Sequence, residues 1–169
     1  FLDRFYSSEL EKRHDGHPYS NRHYQYNQIR KPTVIDGVDG SWDIIVPDDY
    51  PTVQEAVYAA DIGYRILVRS GTYKENVVID VQSLTLHGED RDTTFIDGSV
   101  NSNVIRVTNS ADGANISEFT IQNSGNNYVG INLSSHYNIL LDNIIKNNGH
   151  GISLFYSSGN HLQDNQIMN

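Results

Sequence analysis

Cysteine is absent from the 169 residues of the chain. This absence excludes a disulfide framework and a thiolate metal site, although it leaves the redox compartment undetermined. The sequence also lacks any run of about 18 apolar residues, so it predicts no membrane-spanning helix. The chain begins with Phe1 instead of Met, and we expect that a signal peptide or an upstream segment precedes it.

Basic residues are also few, since 12 Lys and Arg stand against 21 Asp and Glu, for a formal net charge of −9. The imbalance is uneven, because residues 1–42 hold six residues of each sign and residues 43–169 hold six basic and fifteen acidic residues. Such an acidic body disfavours nucleic acid as a partner. Cations, or the basic surface of another protein, fit this charge better.

The order of the chain predicts an N-terminal arm over residues 1–42, which lack a sustained period, followed by one domain over residues 43–169. At the start of that domain, Thr52 and Glu55 have the spacing of a capping box. Apolar residues then recur at positions 53, 56, 57 and 60, which is typical of a short amphipathic helix. The sequence therefore predicts one helix near residues 52–60, with Gly63 placed to close it.

Short runs of β-forming residues follow this helix, at positions 65–68, 77–79, 83–86, 94–96 and 104–107. The last third of the chain then repeats: residues 130–133 recur 21 residues later at 151–154, and residues 142–147 recur 22 residues later at 164–169. A coil of about 22 residues with three short strands would stack equivalent residues ~4.8 Å apart. Asn is expected at its turns, because Asn tolerates left-handed backbone and can bond the Asn of an adjacent coil.

The repeat of Ile-Xaa-Leu, Ser and two Asn-Xaa-Ile units resembles that of parallel β-helix domains that bind carbohydrates or hydrolyse sugars. The segment 51–56, together with 66–68, 71–75 and 84–89, is similar to the opening of NosD-like and pectinesterase-like β-helices. The resemblance covers about residues 43–169. It implies an all-β, right-handed parallel β-helix of the pectin-lyase-like kind, whose short N-terminal α-helix caps the stack behind an irregular arm.

The same resemblance says little about chemistry, because lyases, hydrolases, epimerases, adhesins and structural proteins share this fold. The sequence shows no counterpart of the paired catalytic aspartates of pectinesterases. We therefore assign no catalytic residue and disfavour that activity.

Asp142 and Asp164 occupy equivalent positions one coil apart, so their carboxylates could lie about 5 Å from each other. That separation suits a retaining glycosidase pair. The two could equally share a Ca²⁺ ion or contact a sugar. The favoured interpretation is two solvated turn aspartates, since no third acid or neighbouring Arg is found in the sequence pattern.

Histidines and exposed aromatic residues supply the other candidates. The histidines have no spacing diagnostic of a metal, so no metal site is assigned; they include His14, His17, His23, His136, His150 and His161. Flat rings suit the apolar faces of sugars, and the candidates for sugar stacking are Tyr137, Phe155 and Tyr156. Two Asn-Xaa-Ser sequons, at Asn115 and Asn132, agree with an exported protein.

The sequence thus favours an extracellular or cell-surface structural β-helix that associates head-to-tail with its own copies. In that hypothesis Thr33, Val34 and Ile35 of one arm cover the open last coil of another copy, near Ile167. Two alternatives stay open. The chain could be the N-terminal part of a carbohydrate-active enzyme whose catalytic coils lie beyond Asn169, or it could be a module that binds polysaccharide or metal.

Overall fold

The computed structural model describes residues 41–99 and 101–168. These residues form one helix and thirteen strands: β1 (Ile44–Val46), α1 (Val53–Ala59), β2 (Arg65–Val68), β3 (Gly71–Lys74), β4 (Val77–Ile79), β5 (Thr85–Gly88), β6 (Thr94–Asp97), β7 (Ile105–Val107), β8 (Asn115–Ser117), β9 (Thr120–Leu133), β10 (Ile139–Leu141), β11 (Ile144–Leu154), β12 (His161–Gln163) and β13 (Gln166–Met168). The predicted arm lies outside the described residues except for Ser41 and Trp42, and so do Thr33, Val34 and Ile35.

All strand pairs in the described residues are parallel, and they form two sheets. Sheet A has the order β1-β2-β5-β8-β10-β12. Sheet B has the order β3-β6-β9-β11-β13, with β4 and β7 extending it beside the second half of β9. Each coil therefore crosses sheet A once and then sheet B in two successive segments. The predicted parallel β-helix with one short helix is confirmed, with about five coils.

The repeat read from the sequence is the register of the strands. Ile144 pairs with Gln166 and Ile139 with His161, in both cases 22 residues apart. Ile131 pairs with Ile152, which is 21 residues later. Because equivalent residues stack, apolar residues that face inward form continuous columns. One column, in sheet A, consists of Ile66, Leu86, Ile116 and Leu140, all fully buried.

Each coil turns at three corners, and the residue at each corner commonly has a positive φ. One corner stacks Ser83, Gly113, Tyr137 and Gly159, the next stacks Glu118, Asp142 and Asp164, and the third stacks Asn123 and Asn147. The left-handed conformation is unfavourable for most L-residues. It recurs here because the chain must turn at each corner without interrupting the strand ladders on either side. The next residue in sequence then points into the core.

In the fourth coil this inward residue is Asn at every corner, namely Asn138, Asn143 and Asn148. Each Asn Oδ1 accepts the backbone N–H of the equivalent residue one coil earlier: Ala114 at 3.0 Å, Phe119 at 3.1 Å and Ser124 at 3.0 Å. Asn160 and Asn165 repeat the arrangement on the following coil. These amides satisfy backbone donors that the sharp turns remove from the sheets.

The sequence prediction for these turns was correct in residue type and wrong in detail. Asn was expected to adopt the left-handed backbone itself. Asn147 does so at the third corner, whereas Tyr137 and Asp142 hold the left-handed conformation at the other two. In each case the ladder Asn is the residue that follows. The ladder amide is buried, and it bonds the backbone as well as the next Asn, with Asn143 Nδ2 lying 3.0 Å from Asn165 Oδ1.

Helix α1 caps the first coil, as expected. Its apolar stripe of Val53, Ala56 and Val57 is fully buried. Thr52 Oγ1 accepts the Glu55 N–H at 3.2 Å, so the predicted N-cap is correct. The helix ends at Ala59, with Ala60 as the C-cap, so the expected closure at Gly63 is wrong; the left-handed Gly63 turns the loop that leads to β2.

Two side chains fasten the helix to the coils. The Glu75 carboxylate accepts the N–H groups of Val53 at 2.9 Å and Gln54 at 2.8 Å. The Gln54 amide in turn accepts the Val78 N–H at 2.6 Å and donates to the Val78 carbonyl at 3.2 Å. Gln54 thereby takes the place of a neighbouring strand beside β4. Strands β1 and β3 were not predicted from the sequence.

Candidate functional site

The candidate site lies on the outer surface of the second segment of sheet B. Along β7 the side chains of Ile105 and Val107 are buried and Arg106 is exposed. Arg106 is in register with Asn132 on β9, which is in register with Ser153 on β11. The strand alternation that buries the apolar residues therefore stacks these polar ones outside.

A second outer column follows two residues later in each coil. Thr108 donates its N–H to Ile79, Ser134 to Val107 and Phe155 to Leu133, each at 2.9 Å. These bonds continue the parallel ladder beyond the strand ends. With Arg106 of the first column, the second column borders an open groove of about 420 Å³, whose lining residues are Arg106, Thr108, Asn109, Ser134, Phe155 and Tyr156.

Phe155 and Tyr156 form the aromatic wall of this groove. Their ring centroids lie 4.5 Å apart, with an angle of 80° between the ring planes. Phe155 is 58% exposed and Tyr156 is 85% exposed. Tyr156 has a φ of 50°, which is a strained conformation for a residue with a Cβ. Both rings are therefore largely exposed to solvent and contribute little to the packing of the core.

Tyr137, the third predicted stacking residue, does not line the groove. It occupies a corner with a φ of 58° and is 69% exposed. Its ring is tilted against His136, with the centroids 6.2 Å apart, and it covers Gly159, where any Cβ would collide with it. The structure therefore brings together Phe155 and Tyr156 and separates Tyr137 from them.

Arg106 supplies the positive charge of the groove. Within the described part of the chain, its guanidinium has no hydrogen-bond or ion-pair partner. The other three arginines of that part are engaged: Arg65 lies 4.5 Å from the Trp42 ring and donates to Ser41, Arg69 pairs with Asp48 at 2.9 Å, and Arg91 lies 3.7 Å from Asp142. Arg106 is exposed and available to a ligand.

Asp142 and Asp164 lie at a different corner, between the two sheets, and neither lines the groove. Both have left-handed backbone, with φ values of 56° and 54°. An Asp142 oxygen lies 3.7 Å from Arg91, and an Asp164 oxygen accepts from the Gln163 amide at 3.0 Å. The corner geometry accounts for both residues structurally, and a shared sugar or Ca²⁺ stays a prediction.

The histidines are dispersed over the described coils. His136 Nδ1 lies 2.9 Å from Ser158 Oγ, and His161 Nε2 lies 2.9 Å from Gln163 Oε1. Residues 41–99 and 101–168 contain no group of three or more His, Asp or Glu side chains placed to hold a metal ion. His14, His17 and His23 lie outside those residues.

His87 has the most distinctive environment of these residues. Its ring stacks on Trp42, with centroids 5.1 Å apart and an interplanar angle of 14°, and its Nδ1 lies 2.8 Å from Ser117 Oγ. Burial lowers the pKa of His87 below its ordinary value; Glu118 opposes the shift and Arg65 adds to it. His87 thus lies on the outer face of sheet A in surroundings that disfavour the charged imidazolium.

Ile167 ends one inward column. It pairs with Ile145 through β11 and β13 and is 54% exposed. Head-to-tail association at this coil stays a prediction, to which the comparisons below add no support. No helix in the described ranges is long and apolar enough to cross a membrane.

Four groove residues were not predicted as site residues from the sequence, namely Arg106, Thr108, Asn109 and Ser134. A signal was present, because the aligned repeats place Arg106, Asn132 and Ser153 at one position and Thr108, Ser134 and Phe155 two positions later. Aligning the strand at 104–107 with the two later repeats would have predicted these columns.

The comparisons with known proteins agree with the architecture. No curated protein matches the chain. The solved structures that match it include a pectin methylesterase variant in complex with a hexasaccharide (TM-score 0.61, 18% identity, 76% of this chain) and pectin methylesterase from carrot (0.57, 23%, 66%). Pectin methylesterase PemA from Erwinia chrysanthemi also matches (0.59, 16%, 76%). At these identities the likeness shows the pectin-lyase-like fold alone.

The chain spans 41–50% of the length of these three enzymes. A family model described as "Periplasmic copper-binding protein (NosD)" matches residues 16–169. That match includes every coil and the capping helix, in agreement with the resemblance seen in the sequence. The chain belongs to the NosD family of periplasmic β-helix proteins.

Proposed function

We propose that this chain is an exported β-helix module that binds a saccharide in the groove beside β7, β9 and β11 and does not itself catalyse a reaction on it. The observation that carries the proposal is the exposed ring pair of Phe155 and Tyr156, set against the hydroxyl and amide groups of Thr108, Asn109 and Ser134.

The rings of Phe155 and Tyr156 are exposed to solvent. Large apolar side chains normally gain stability by burial, at about 25 cal/mol per Å². Phe155 and Tyr156 gain little in this way, so their surface is available to a ligand. Sugars offer apolar C–H faces to aromatic rings and hydroxyl groups to polar side chains. The groove of about 420 Å³ falls within the usual range for small-ligand sites, ~300–1,000 Å³.

The composition of the lining supports binding over catalysis. Glycoside hydrolysis by the common mechanisms needs two carboxyl groups flanking the scissile bond. The six lining residues include no carboxylate and no imidazole.

Copper is named in the description of the family, and the described residues do not fit a copper site. Copper sites in proteins favour several imidazole or sulfur ligands around one ion. Cysteine is absent, and the described histidines do not cluster. No step of the proposed function therefore involves copper. The saccharide class also has the support of analogy, through the fold shared with an enzyme solved with a hexasaccharide.

The test is calorimetric titration of the whole chain with a panel of neutral hexasaccharides of α- and β-linked hexoses. We expect at least one to bind, and we expect Phe155→Ala and Tyr156→Ala each to weaken it about tenfold, as loss of ring stacking implies. Tyr137→Ala is the matched control, because Tyr137 is also an exposed ring but lies outside the groove. Equal losses in all three variants, or no binding to any member of the panel, would refute the proposal.

A further inference from the structure

We infer that the groove selects a saccharide that carries a single carboxylate, which Arg106 recognises, and discriminates against chains with a carboxylate on every sugar. This inference rests on the proposed saccharide site. It adds the chemical class of the ligand, which the aromatic wall alone does not define.

Arg106 has guanidinium donors that are available to a ligand. An arginine presents a planar fork of donors that matches a carboxylate with two parallel hydrogen bonds. In the described part of the chain, three of the four guanidinium groups already have partners. Arg69 pairs with Asp48, Arg91 with Asp142, and Arg65 contacts Trp42 and Ser41. Arg106 alone in that part keeps its donors free, and it is the arginine that lines the groove.

The Arg106 guanidinium has uncharged register neighbours and no ion pair with Asp80, the carboxylate that lies in register with Thr108 in the adjacent column. Its register neighbours on the adjacent coils are Val78 and Asn132, neither of which carries a charge. Among the lining residues, Thr108 Oγ1 lies 2.8 Å from the hydroxyl of Ser110, so it is satisfied locally. An incoming carboxylate would therefore meet one cation without displacing an existing anion.

The acidic charge of the molecule limits the number of charges on the ligand. Residues 43–169 hold fifteen acidic and six basic residues, so the body of the molecule repels polyanions at separations within the Debye length of ~8–10 Å. The two lysines of the described residues do not line the groove; Lys146 lies 5.7 Å from the Phe95 ring on the first segment of sheet B. One cation can compensate one carboxylate, and each further carboxylate would add repulsion.

The experiment compares three hexasaccharides of matched length by calorimetry at low and physiological salt: a neutral one that binds, the same chain with one terminal glucuronate, and a hexamer of uronate. We expect the singly charged ligand to bind about tenfold more tightly than the neutral one, as a charge-assisted hydrogen bond implies. The uronate hexamer should bind more weakly than the singly charged chain, most clearly at low salt.

Two variants assign the effect to its residue. Arg106→Gln should bring the ratio of the two affinities to about one, whereas Lys74→Gln, which alters an exposed cation outside the groove, should leave the ratio unchanged. A ratio near one in the unaltered chain, or tightest binding of the uronate hexamer, would overturn this inference and leave the proposed saccharide site standing. Failure of all three ligands to bind would refute the proposed site itself.

Discussion

The ladder residue Asn143 allows the energetics of the coil corners to be tested directly. Its side chain is fully buried. Its Oδ1 accepts the Phe119 N–H at 3.1 Å, and its Nδ2 donates to the Ile116 carbonyl at 2.9 Å and to Asn165 Oδ1 at 3.0 Å. Asn143→Ala removes all three bonds and leaves a buried backbone N–H without an acceptor.

The expected loss follows from these bonds. A buried donor left unsatisfied costs about 1–3 kcal/mol, and each lost hydrogen bond contributes about 0.5–1.5 kcal/mol. We therefore expect Asn143→Ala to lower the free energy of unfolding by about 3 kcal/mol. Urea denaturation followed by circular dichroism measures this quantity. Asn127→Ala is the control, because Asn127 is an exposed residue of β9 and its truncation should cost less than about 0.5 kcal/mol.

A second variant at the same position gives a pH signature. Asn143→Asp keeps the shape and one acceptor, but burial favours the protonated acid and raises its pKa above the ordinary value. The folded state then binds more protons than the unfolded state, so stability should fall as the pH rises above about 4. If Asn143→Ala is no more destabilising than Asn127→Ala, or if Asn143→Asp shows no loss on raising the pH, the ladder does not stabilise the corner as argued.

Three further outcomes are expected. Val57→Asp should destabilise the chain by roughly 3 kcal/mol or more in urea denaturation, because it places an unpaired charge against the first coil, whereas Ile62→Asp, at a position that is 71% exposed, should be nearly neutral. The pKa of His87 is lowered in the folded state, so the unfolded state binds more protons between the folded-state pKa and about 6.5. The free energy of unfolding should therefore fall as the pH is lowered through that range, and His87→Gln should remove this pH dependence. Asp142→Asn combined with Asp164→Asn should preserve folding, since Asn tolerates positive φ; calorimetric titration with Ca²⁺ of the unaltered chain and this variant decides the shared-ion hypothesis, which an absence of heat in both would exclude.

The fold could be predicted from the sequence because its signals are local and repeated. The 22-residue spacing of Asp142 and Asp164, and the 21-residue spacing of Ile131 and Ile152, are the strand register itself. Helix α1 could be predicted equally well, since its N-cap and apolar stripe lie within the nine residues 52–60. Strand β3 was not, because Gly71–Lys74 is only partly buried or exposed and its pairing comes from its neighbours in the stack.

The candidate site was harder to predict from the sequence, for a physical reason. Phe155 and Tyr156 were identified from their chemistry, as single residues suited to a sugar. Arg106 lies about two coils earlier in the chain, and nothing in its local sequence distinguishes it from the engaged Arg69 or Arg91. Arg106 is distinguished by its lack of a partner among residues 41–99 and 101–168 and by its place in a column, and both properties depend on the stacking of coils.

The alternation along each strand also separates the residues that hold the fold from those proposed to bind. In β7, Ile105 and Val107 are buried in the core while Arg106 between them is exposed. Substitution of an exposed residue without partners removes no packing and no hydrogen bond, so it should change stability by no more than about 0.5 kcal/mol. Arg106→Gln should therefore unfold at nearly the same urea concentration as the unaltered chain, and Phe155→Ala, which loses the ring contact with Tyr156, should cost no more than about 1.5 kcal/mol. Loss of ligand by such variants would then report on the groove, whereas Asn143→Ala, which removes a buried amide at the corner between β10 and β11, should change stability.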